Sequence, residues 1–176
     1  LSNMYLALEH NLEILPVINK IDLPAADIPG TMHQIDHDLG LDSSIAVPVS
    51  AKIGTGIDDL FEAIVHRIPP PTGLATDKLR ALIFDCHYDS YRGVIIHIRV
   101  FTGTIRAGQT IRFMNSNSEY KVEETGIFIL KLVPGEELAA GDVGYIIAGI
   151  KTIVDVRVGD TITNIDDPAD KPLPGF

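Results

Sequence analysis

The first third of the chain alternates between helix-like and strand-like patterns of apolar residues. Apolar side chains recur every three or four positions in residues 1–11, 31–39 and 57–68, which places them on one face of a helix. Short apolar runs at 13–18 and 45–50 separate these segments, and such runs predict buried strands of a parallel sheet. The order helix, strand, helix, strand, helix predicts an α/β domain.

From residue 79 onward the pattern changes to short alternating segments with turn residues between them. Seven strands are predicted, at 79–88, 94–101, 110–114, 119–124, 128–133, 144–150 and 155–163. Strands of this number and spacing, with no helix between them, predict an all-β barrel. The predicted organisation is an α/β domain at 1–68, a proline-rich linker at 69–75, a barrel at 76–165 and a linker toward a further domain at 166–176.

Composition narrows the classes of function. The 176 residues carry a net charge of −10, so neither half has the bulk positive charge of a nucleic-acid-binding domain. The lone Cys86 excludes a disulfide framework and a multi-cysteine zinc site. No apolar run of about 18 residues predicts a membrane-spanning helix. The start at Leu1 and the end at Leu173–Phe176 are not typical of a complete gene product, so we expect a fragment.

The strongest chemical signal is Asn19-Lys20-Ile21-Asp22, directly after the first predicted strand. One carboxylate, that of Asp22, accepts from both the N1–H and the N2–H₂ of a guanine base, and adenine lacks this donor pair. Asn19 is suited to the O6/N7 side of the base and to tying neighbouring loops together. The aliphatic stem of Lys20 is long enough to cover one face of the base.

A second motif, Ser50-Ala51-Lys52, ends the next predicted strand. The Ala51 N–H is expected to donate to guanine O6, and the Lys52 stem to cover the other face of the base. Either motif, taken alone, is also typical of a turn that leads into a helix, where the polar side chains only cap the helix N-terminus. Two such motifs at strand ends about thirty residues apart favour recognition of a guanine base.

The catalytic half of a nucleotide site is not identified. We find no Gly-x-x-x-x-Gly-Lys-[Ser/Thr] phosphate loop and identify no magnesium-binding Asp-x-x-Gly segment. Phosphate and metal binding are therefore expected from residues outside this sequence. No catalytic residue and no metal ligand is predicted within it.

The two motifs resemble the base-recognition motifs of P-loop GTPases, and Gly103–Gln109 resembles a turn of the barrel of translational GTPases. Within that class the chain is most similar to the LepA family of elongation factors. The stretches that carry the similarity are 18–27, 68–71, 85–94, 126–128 and 158–163, with 173–176 similar to the run into a third domain. Leu130 departs from the pattern, because a proline is expected there before Lys131.

The resemblance implies a partial P-loop GTPase domain followed by a translation-factor barrel. The complete protein would bind GTP or GDP with Mg²⁺, hydrolyse GTP to GDP on the ribosome and move tRNAs backward. The barrel would contact small-subunit rRNA. The isolated fragment is expected to be inactive and to self-associate through an exposed sheet edge. A cytoplasmic location is implied, and peripheral association with the cytoplasmic face of the membrane stays open.

Two alternatives remain: a non-catalytic module that docks on a ribosome or protein, and another translational GTPase of the elongation factor G class. A further choice concerns four barrel arginines, which either face rRNA or make ordinary cross-strand ion pairs. They are Arg92, Arg99, Arg106 and Arg112.

The remaining candidates for chemistry are predicted to be structural. Cys86 is predicted to pack as a small apolar residue. His87 and His97 have no third ligand at metal-binding spacing, and His33 and His37 are expected on an exposed helix face.

Overall fold

The computed structural model describes residues 2–174. Leu1, where the first predicted helix begins, lies outside the described residues, as do the last two residues of the predicted C-terminal linker. The chain divides into two compact units, Leu1–Pro70 and Pro71–Phe176. Among the described residues, the α-helices all belong to the first unit and ten of the twelve strands to the second.

Three helices and two short strands form the first unit, in the predicted order. They are helix α1 Ser2–Glu9, strand β1 Val17–Ile18, helix α2 Ile28–His37, strand β2 Val47–Pro48 and helix α3 Ile57–Arg67. Strands β1 and β2 pair in parallel, with Val17 opposite Val47, which confirms the predicted parallel sheet. Both strands are far shorter than predicted, because Pro16 and Pro48 lack the N–H that a longer ladder needs.

Helix α2 begins three residues earlier than the apolar period predicts. Asp27 is its N-cap, and its side chain accepts a hydrogen bond from the Gly30 N–H at 2.9 Å. Pro29 suits the first turn, where helical N–H groups have no partner within the helix. The N-cap therefore determines where the helix begins, and a pattern of apolar positions does not reveal capping residues.

The first unit buries few apolar side chains. Among residues 2–70, the buried ones are Ile18, Ile35 and Val49. Helix α1 has no buried residue, and large apolar side chains on α1 and α3 are exposed. A two-stranded sheet of two-residue strands offers too little surface to cover the apolar faces of these helices.

The second unit is an antiparallel β structure. Its strands are β3 Arg80–Asp89, β4 Gly93–Thr102, β5 Thr104–Arg106, β6 Thr110–Phe113, β7 Glu119–Lys121, β8 Glu124–Ile129, β9 Lys131–Gly135, β10 Glu137–Ala139, β11 Val143–Ile147 and β12 Thr161–Asn164. Eight of them form one sheet in the order β7-β6-β12-β3-β4-β11-β8-β9, and β5 pairs with β10. The predicted all-β character of this part of the chain is confirmed.

One apolar core is enclosed by these strands. Alternate residues of β4 are fully buried in it, among them Val94, Ile96 and Ile98. They meet Phe113 of β6 and Ile162 of β12, so strands that are distant in the sheet order share the same core. Period-two alternation along long strands produces this arrangement, since every second side chain points to the same face.

A second apolar cluster lies on the other face of β4. Ile95, Tyr145 and Ile147 are buried there, and Leu132 of β9 packs against them. The Tyr145 hydroxyl donates to Glu124 Oε1 at 2.6 Å. Burial, followed by this hydrogen bond, raises the pKa of Tyr145 to about 12. Leu132 thus covers part of the outer face of β4 and β11.

The prediction of a single strand at 128–133 is wrong, because the chain reverses direction at Leu130. Strands β8 and β9 pair on either side of it, and its φ is +57°. A proline fixes φ near −65°, so the proline that the resemblance predicts here does not fit this backbone. The departure from the family pattern at Leu130 therefore coincides with a left-handed turn.

Other strand boundaries also differ from the prediction. Strand β12 begins only at Thr161, because a 3₁₀ turn occupies Ile153–Asp155 and Gly159 has φ of +91°. Strands β5 and β10 are not predicted, because an alternation of apolar and polar residues over only three positions is too short to indicate a strand. These two extra strands lie between predicted strands, in segments for which the sequence predicts no strand.

The exposed apolar faces of the first unit predict self-association. Light scattering should give a mass that rises above 19.1 kDa as the chain is concentrated. Replacing Phe61 and Val65 of α3, which are 61% and 73% exposed, by glutamate should suppress that rise. Tyr91→Ser in the second unit, where Tyr91 is 96% exposed, is the control and should leave it unchanged. A strict monomer at high concentration would contradict this prediction.

Close packing in the β8–β9 hairpin predicts an asymmetry between two glycines. A Cβ at Gly126 would lie 2.2 Å from the Val133 carbonyl oxygen and 2.7 Å from the Tyr145 ring. Gly126→Ala should therefore lower the free energy of unfolding of the barrel by about 2–4 kcal/mol in urea denaturation followed by circular dichroism. At Gly135 the nearest atoms would be 3.8 and 4.0 Å away. Gly135→Ala is the matched control, and an equal loss in both variants would contradict the packing argument.

Candidate functional site

The two predicted motifs meet at one edge of the parallel sheet. Asn19 follows directly after β1, and Ser50 comes two residues after β2. The Val49 N–H donates to the Ile18 carbonyl at 2.8 Å, and the Ile21 N–H donates to the Val49 carbonyl at 3.3 Å. These backbone bonds hold the two chain segments side by side just beyond the strands. Ligands of parallel sheets bind at this carboxyl edge.

A side-chain hydrogen bond joins the motifs at their centre. The Ser50 hydroxyl donates to Asp22 Oδ1 at 2.5 Å, and Ser50 is fully buried while Asp22 is half-buried. One oxygen of the carboxylate is thereby fixed, and within residues 2–174 the other accepts no hydrogen bond. Sequence analysis places Ser50 in the site without a role. Its role as the residue that orients Asp22 becomes visible only when the two strand ends are adjacent.

Asn19 ties the two loops together, as its predicted loop-tying role requires. Its Oδ1 accepts hydrogen bonds from the Lys20 N–H at 2.7 Å and from the Ala51 N–H at 3.2 Å. The Ala51 N–H is predicted to donate to the O6 atom of a base, and in the structure it donates to Asn19 instead. A base oxygen would therefore compete with the Asn19 amide oxygen for this donor.

A cavity of about 400 Å³ lies between the two motifs. Five of the six predicted residues line it, and the sixth, Ser50, is buried. The lining residues are Asn19, Lys20, Asp22, Leu23, Ala51 and Lys52. Leu23 adds an apolar wall that sequence analysis does not assign to the site. The cavity thus combines apolar surface and lysine stems with one oriented carboxylate.

The backbone of Lys20 is held in an unfavourable conformation. Its φ is +68°, a left-handed value that costs a residue with a side chain roughly 1–2 kcal/mol. Non-glycine residues in such conformations cluster at binding sites, where the surrounding structure holds them. The hydrogen bond from the Lys20 N–H to Asn19 Oδ1 stabilises this turn.

One Asp-x-x-Gly sequence is present, at Asp27-Ile28-Pro29-Gly30, which corrects the expectation that the chain has no such segment. In the structure the Asp27 carboxylate is occupied as the N-cap of α2. No group of three or more His, Cys, Asp or Glu side chains in residues 2–174 is arranged to hold a metal ion.

Three of the four barrel arginines form ion pairs with glutamates. Arg92 contacts Glu124 at 3.0 Å. The other two pairs are Arg106 with Glu137 and Arg112 with Glu119. Arg99 lies over the Phe101 ring at 4.7 Å. These contacts favour cross-strand pairing, one of the two interpretations that the sequence leaves open, and exposed pairs of this kind add little to stability.

Cys86 packs against the barrel core, and its thiol is half-buried. Burial, followed by the charge of Asp85, raises the pKa of the Cys86 thiol, so little thiolate forms at neutral pH. Packing accounts for this residue. Among residues 2–174, no helix has both the length and the apolar character needed to cross a lipid bilayer.

Comparison with known proteins identifies relatives along the whole chain. Residues 93–163 match the family described as elongation factor Tu domain 2. The chain is 69% identical over 176 residues to elongation factor 4 of Treponema denticola, covering 100% of the chain and 29% of that protein. It is 59% identical over 176 residues to elongation factor 4 of Treponema pallidum, again covering 100% of the chain and 29% of the relative. The chain thus spans less than a third of the length of these relatives.

A solved structure shares the fold. Translation elongation factor SelB from Methanococcus maripaludis, in its apo form, superposes with a TM-score of 0.76 at 20% sequence identity. The match covers 93% of this chain and 36% of the SelB chain. Over its whole length the chain is therefore similar to elongation factor 4 (LepA) proteins, and domain 2 is present in it.

Proposed function

We propose that this chain is the guanine-recognition half of a GTPase domain, together with the barrel, of a ribosome-associated translational GTPase. The observation that carries the proposal is the convergence of Asn19–Asp22 and Ser50–Lys52 on one cavity, with Asp22 oriented by Ser50. The identity with elongation factor 4 proteins along the whole chain supports it. The chain is then part of a P-loop GTPase domain whose phosphate loop lies elsewhere in the parent.

Selectivity for guanine follows from the oriented carboxylate. Guanine presents its N1–H and N2–H₂ donors on one edge, and a carboxylate accepts from both. Adenine lacks this pair, so its binding would leave the Asp22 oxygen that Ser50 does not contact without a donor in a partly closed cavity, at a cost of about 1–3 kcal/mol. The Ser50 hydroxyl already holds one oxygen of the Asp22 carboxylate in place. Binding of the base therefore costs little further conformational entropy of this side chain.

The remaining residues of the cavity would enclose the base. The aliphatic stems of Lys20 and Lys52 would pack against its two faces, with their ammonium groups in solvent. The Asn19 side chain would supply its amide N–H₂ to the O6/N7 side while its oxygen holds the Ala51 loop. None of these residues acts on a phosphate.

Hydrolysis is assigned to other parts of the parent. GTP would be cleaved to GDP with Mg²⁺ held by the phosphate loop and switch segments of the complete protein. The parent would act on the cytoplasmic ribosome to move tRNAs backward, with the barrel against small-subunit rRNA. The isolated chain should bind guanine nucleotides weakly and not turn them over.

The coding sequence upstream of Leu1 separates this proposal from a nucleotide-independent docking module. A Gly-x-x-x-x-Gly-Lys-[Ser/Thr] motif followed by Asp-x-x-Gly would support the GTPase. A start codon directly before Leu1 would contradict it, and Asn19–Asp22 would then be a structural turn.

Asp22→Asn in the complete protein should change base preference. The variant should lose about 10- to 100-fold in GTP affinity, because a charged hydrogen-bond acceptor is lost. It should gain tolerance for xanthosine triphosphate, since xanthine carries a carbonyl where guanine carries N2–H₂. Competition binding with both nucleotides measures the ratio. An unchanged preference for guanine over xanthine would contradict the role given to Asp22.

Ser50→Ala tests the orientation of the carboxylate separately from its charge. Loss of the Ser50–Asp22 hydrogen bond should weaken GTP binding by roughly 5- to 10-fold in fluorescent-nucleotide titration. The chain offers a matched control in Ser43, whose hydroxyl donates to Asp36 Oδ2 at 2.7 Å away from the cavity. Ser43→Ala should bind GTP as the unsubstituted protein does. Equal loss in both serine variants would indicate a general effect on folding and would refute the orienting role.

A further inference from the structure

Two histidines lie together on the outer face of the barrel sheet, in the second unit of the chain. A register shift between Ile83 and Asp85 of β3 places Asp85 opposite His97 and His87 opposite Ile95. The two histidines are therefore diagonal neighbours across β3 and β4. Their rings stack with centroids 5.2 Å apart, and His97 Nε2 lies 3.1 Å from His87 Nδ1.

The geometry points to a bidentate site for a divalent transition-metal cation, formed by His87 Nδ1 and His97 Nε2. Two imidazole nitrogens bound to one tetrahedral zinc at about 2.0–2.1 Å are about 3.3 Å apart. The observed separation of 3.1 Å is close to that value. On binding, each ring would turn so that its nitrogen lone pair points at the ion and not along the N···N line. Imidazole nitrogen is a preferred ligand of Zn²⁺, Ni²⁺ and Cu²⁺.

Neighbouring side chains restrict the ring of His97. Phe84 of β3 lies 6.0 Å from it, centroid to centroid, and Phe128 of β8 meets it edge-on at 6.4 Å. Asp85 is its direct cross-strand neighbour, and the Asp85 Oδ1 atom accepts a hydrogen bond from the Cys86 N–H at 2.8 Å. Packing that limits ring rotation lowers the cost of presenting both nitrogens to one ion.

The sequence has no third ligand at a metal-binding spacing from these two histidines, and this argues against a metal site. Within the described part of the chain, no third His, Cys, Asp or Glu completes the group. Water would fill the remaining coordination positions. The site is accordingly an open, two-ligand site that binds more weakly than a closed four-ligand structural one.

Metal binding would leave the number of protons on the two imidazole rings unchanged. With both rings neutral, one nitrogen of the pair donates its N–H to the other. The metal needs the lone pair of each nitrogen, so the donor ring gives up that proton and takes one up on its other nitrogen from water. Two N–metal bonds form with no net release of protons.

Calorimetric titration of the full 176-residue chain with ZnCl₂ at pH 7.5 tests the site. All measurements use a background chain that carries His33→Gln and His37→Gln. These two substitutions remove the stacked histidine pair on α2, whose ring centroids are 4.2 Å apart. One equivalent of Zn²⁺ should bind. His87→Gln and His97→Gln should each weaken binding at least tenfold, whereas His10→Gln, outside the barrel, should not change it.

Several results would overturn the inference. These are no zinc binding by the background chain, unchanged affinity in His87→Gln, or ¹⁵N imidazole resonances that shift on zinc addition at other histidines and not at this pair. Because His87 is exposed, His87→Gln should fold normally, so the test does not depend on the half-buried His97. Circular dichroism of each variant checks that the barrel is intact.

Discussion

The hydrogen bond from Ser50 to Asp22 connects the two chain segments on which the proposed recognition of guanine depends. It forms because β1 and β2 run parallel and end at the same edge, so that residues 28 positions apart meet. The strands themselves are only two residues long, and the polar contacts beyond them are what fix the site. Ser50 is fully buried, so its hydroxyl has no water to exchange with, and an unpaired hydroxyl there would be costly.

The two units of the chain differ in how they are stabilised. The barrel encloses a continuous apolar core, and long alternating strands such as β4 supply it. In the first unit few apolar side chains are buried, and α1 contributes none of them. The proposed explanation is that further parts of the parent cover these faces, in keeping with a chain that spans 29% of its elongation factor 4 relatives.

Sequence periodicity predicts the order of elements because each pattern directly reports which face is buried. It locates α3 and the long strands β3 and β4 to within a residue or two. Periodicity fails to predict features that depend on backbone geometry and not on the burial of apolar side chains. The left-handed turn at Leu130, the Asp27 cap of α2 and the three-residue strands β5 and β10 leave no apolar signature.

The residues of the candidate site are predictable from two short motifs, but their mutual contacts are not. The sequence predicts that Asp22 accepts hydrogen bonds from a base, whereas the proposed orienting role of Ser50 depends on strand register. The bond from the Ala51 N–H to Asn19 is likewise a tertiary contact across 32 positions. The histidine pair on the barrel also depends on register, because a β3 irregularity brings His87 toward His97.

The most direct test of guanine recognition is an experimental structure of the complete protein with GDP bound. We expect the guanine base in the cavity between Lys20 and Lys52, with the Asp22 carboxylate within hydrogen-bond distance of both N1 and N2 and still bonded to Ser50. A base bound elsewhere, or an Asp22 carboxylate that points away from the N1–N2 edge, would contradict it.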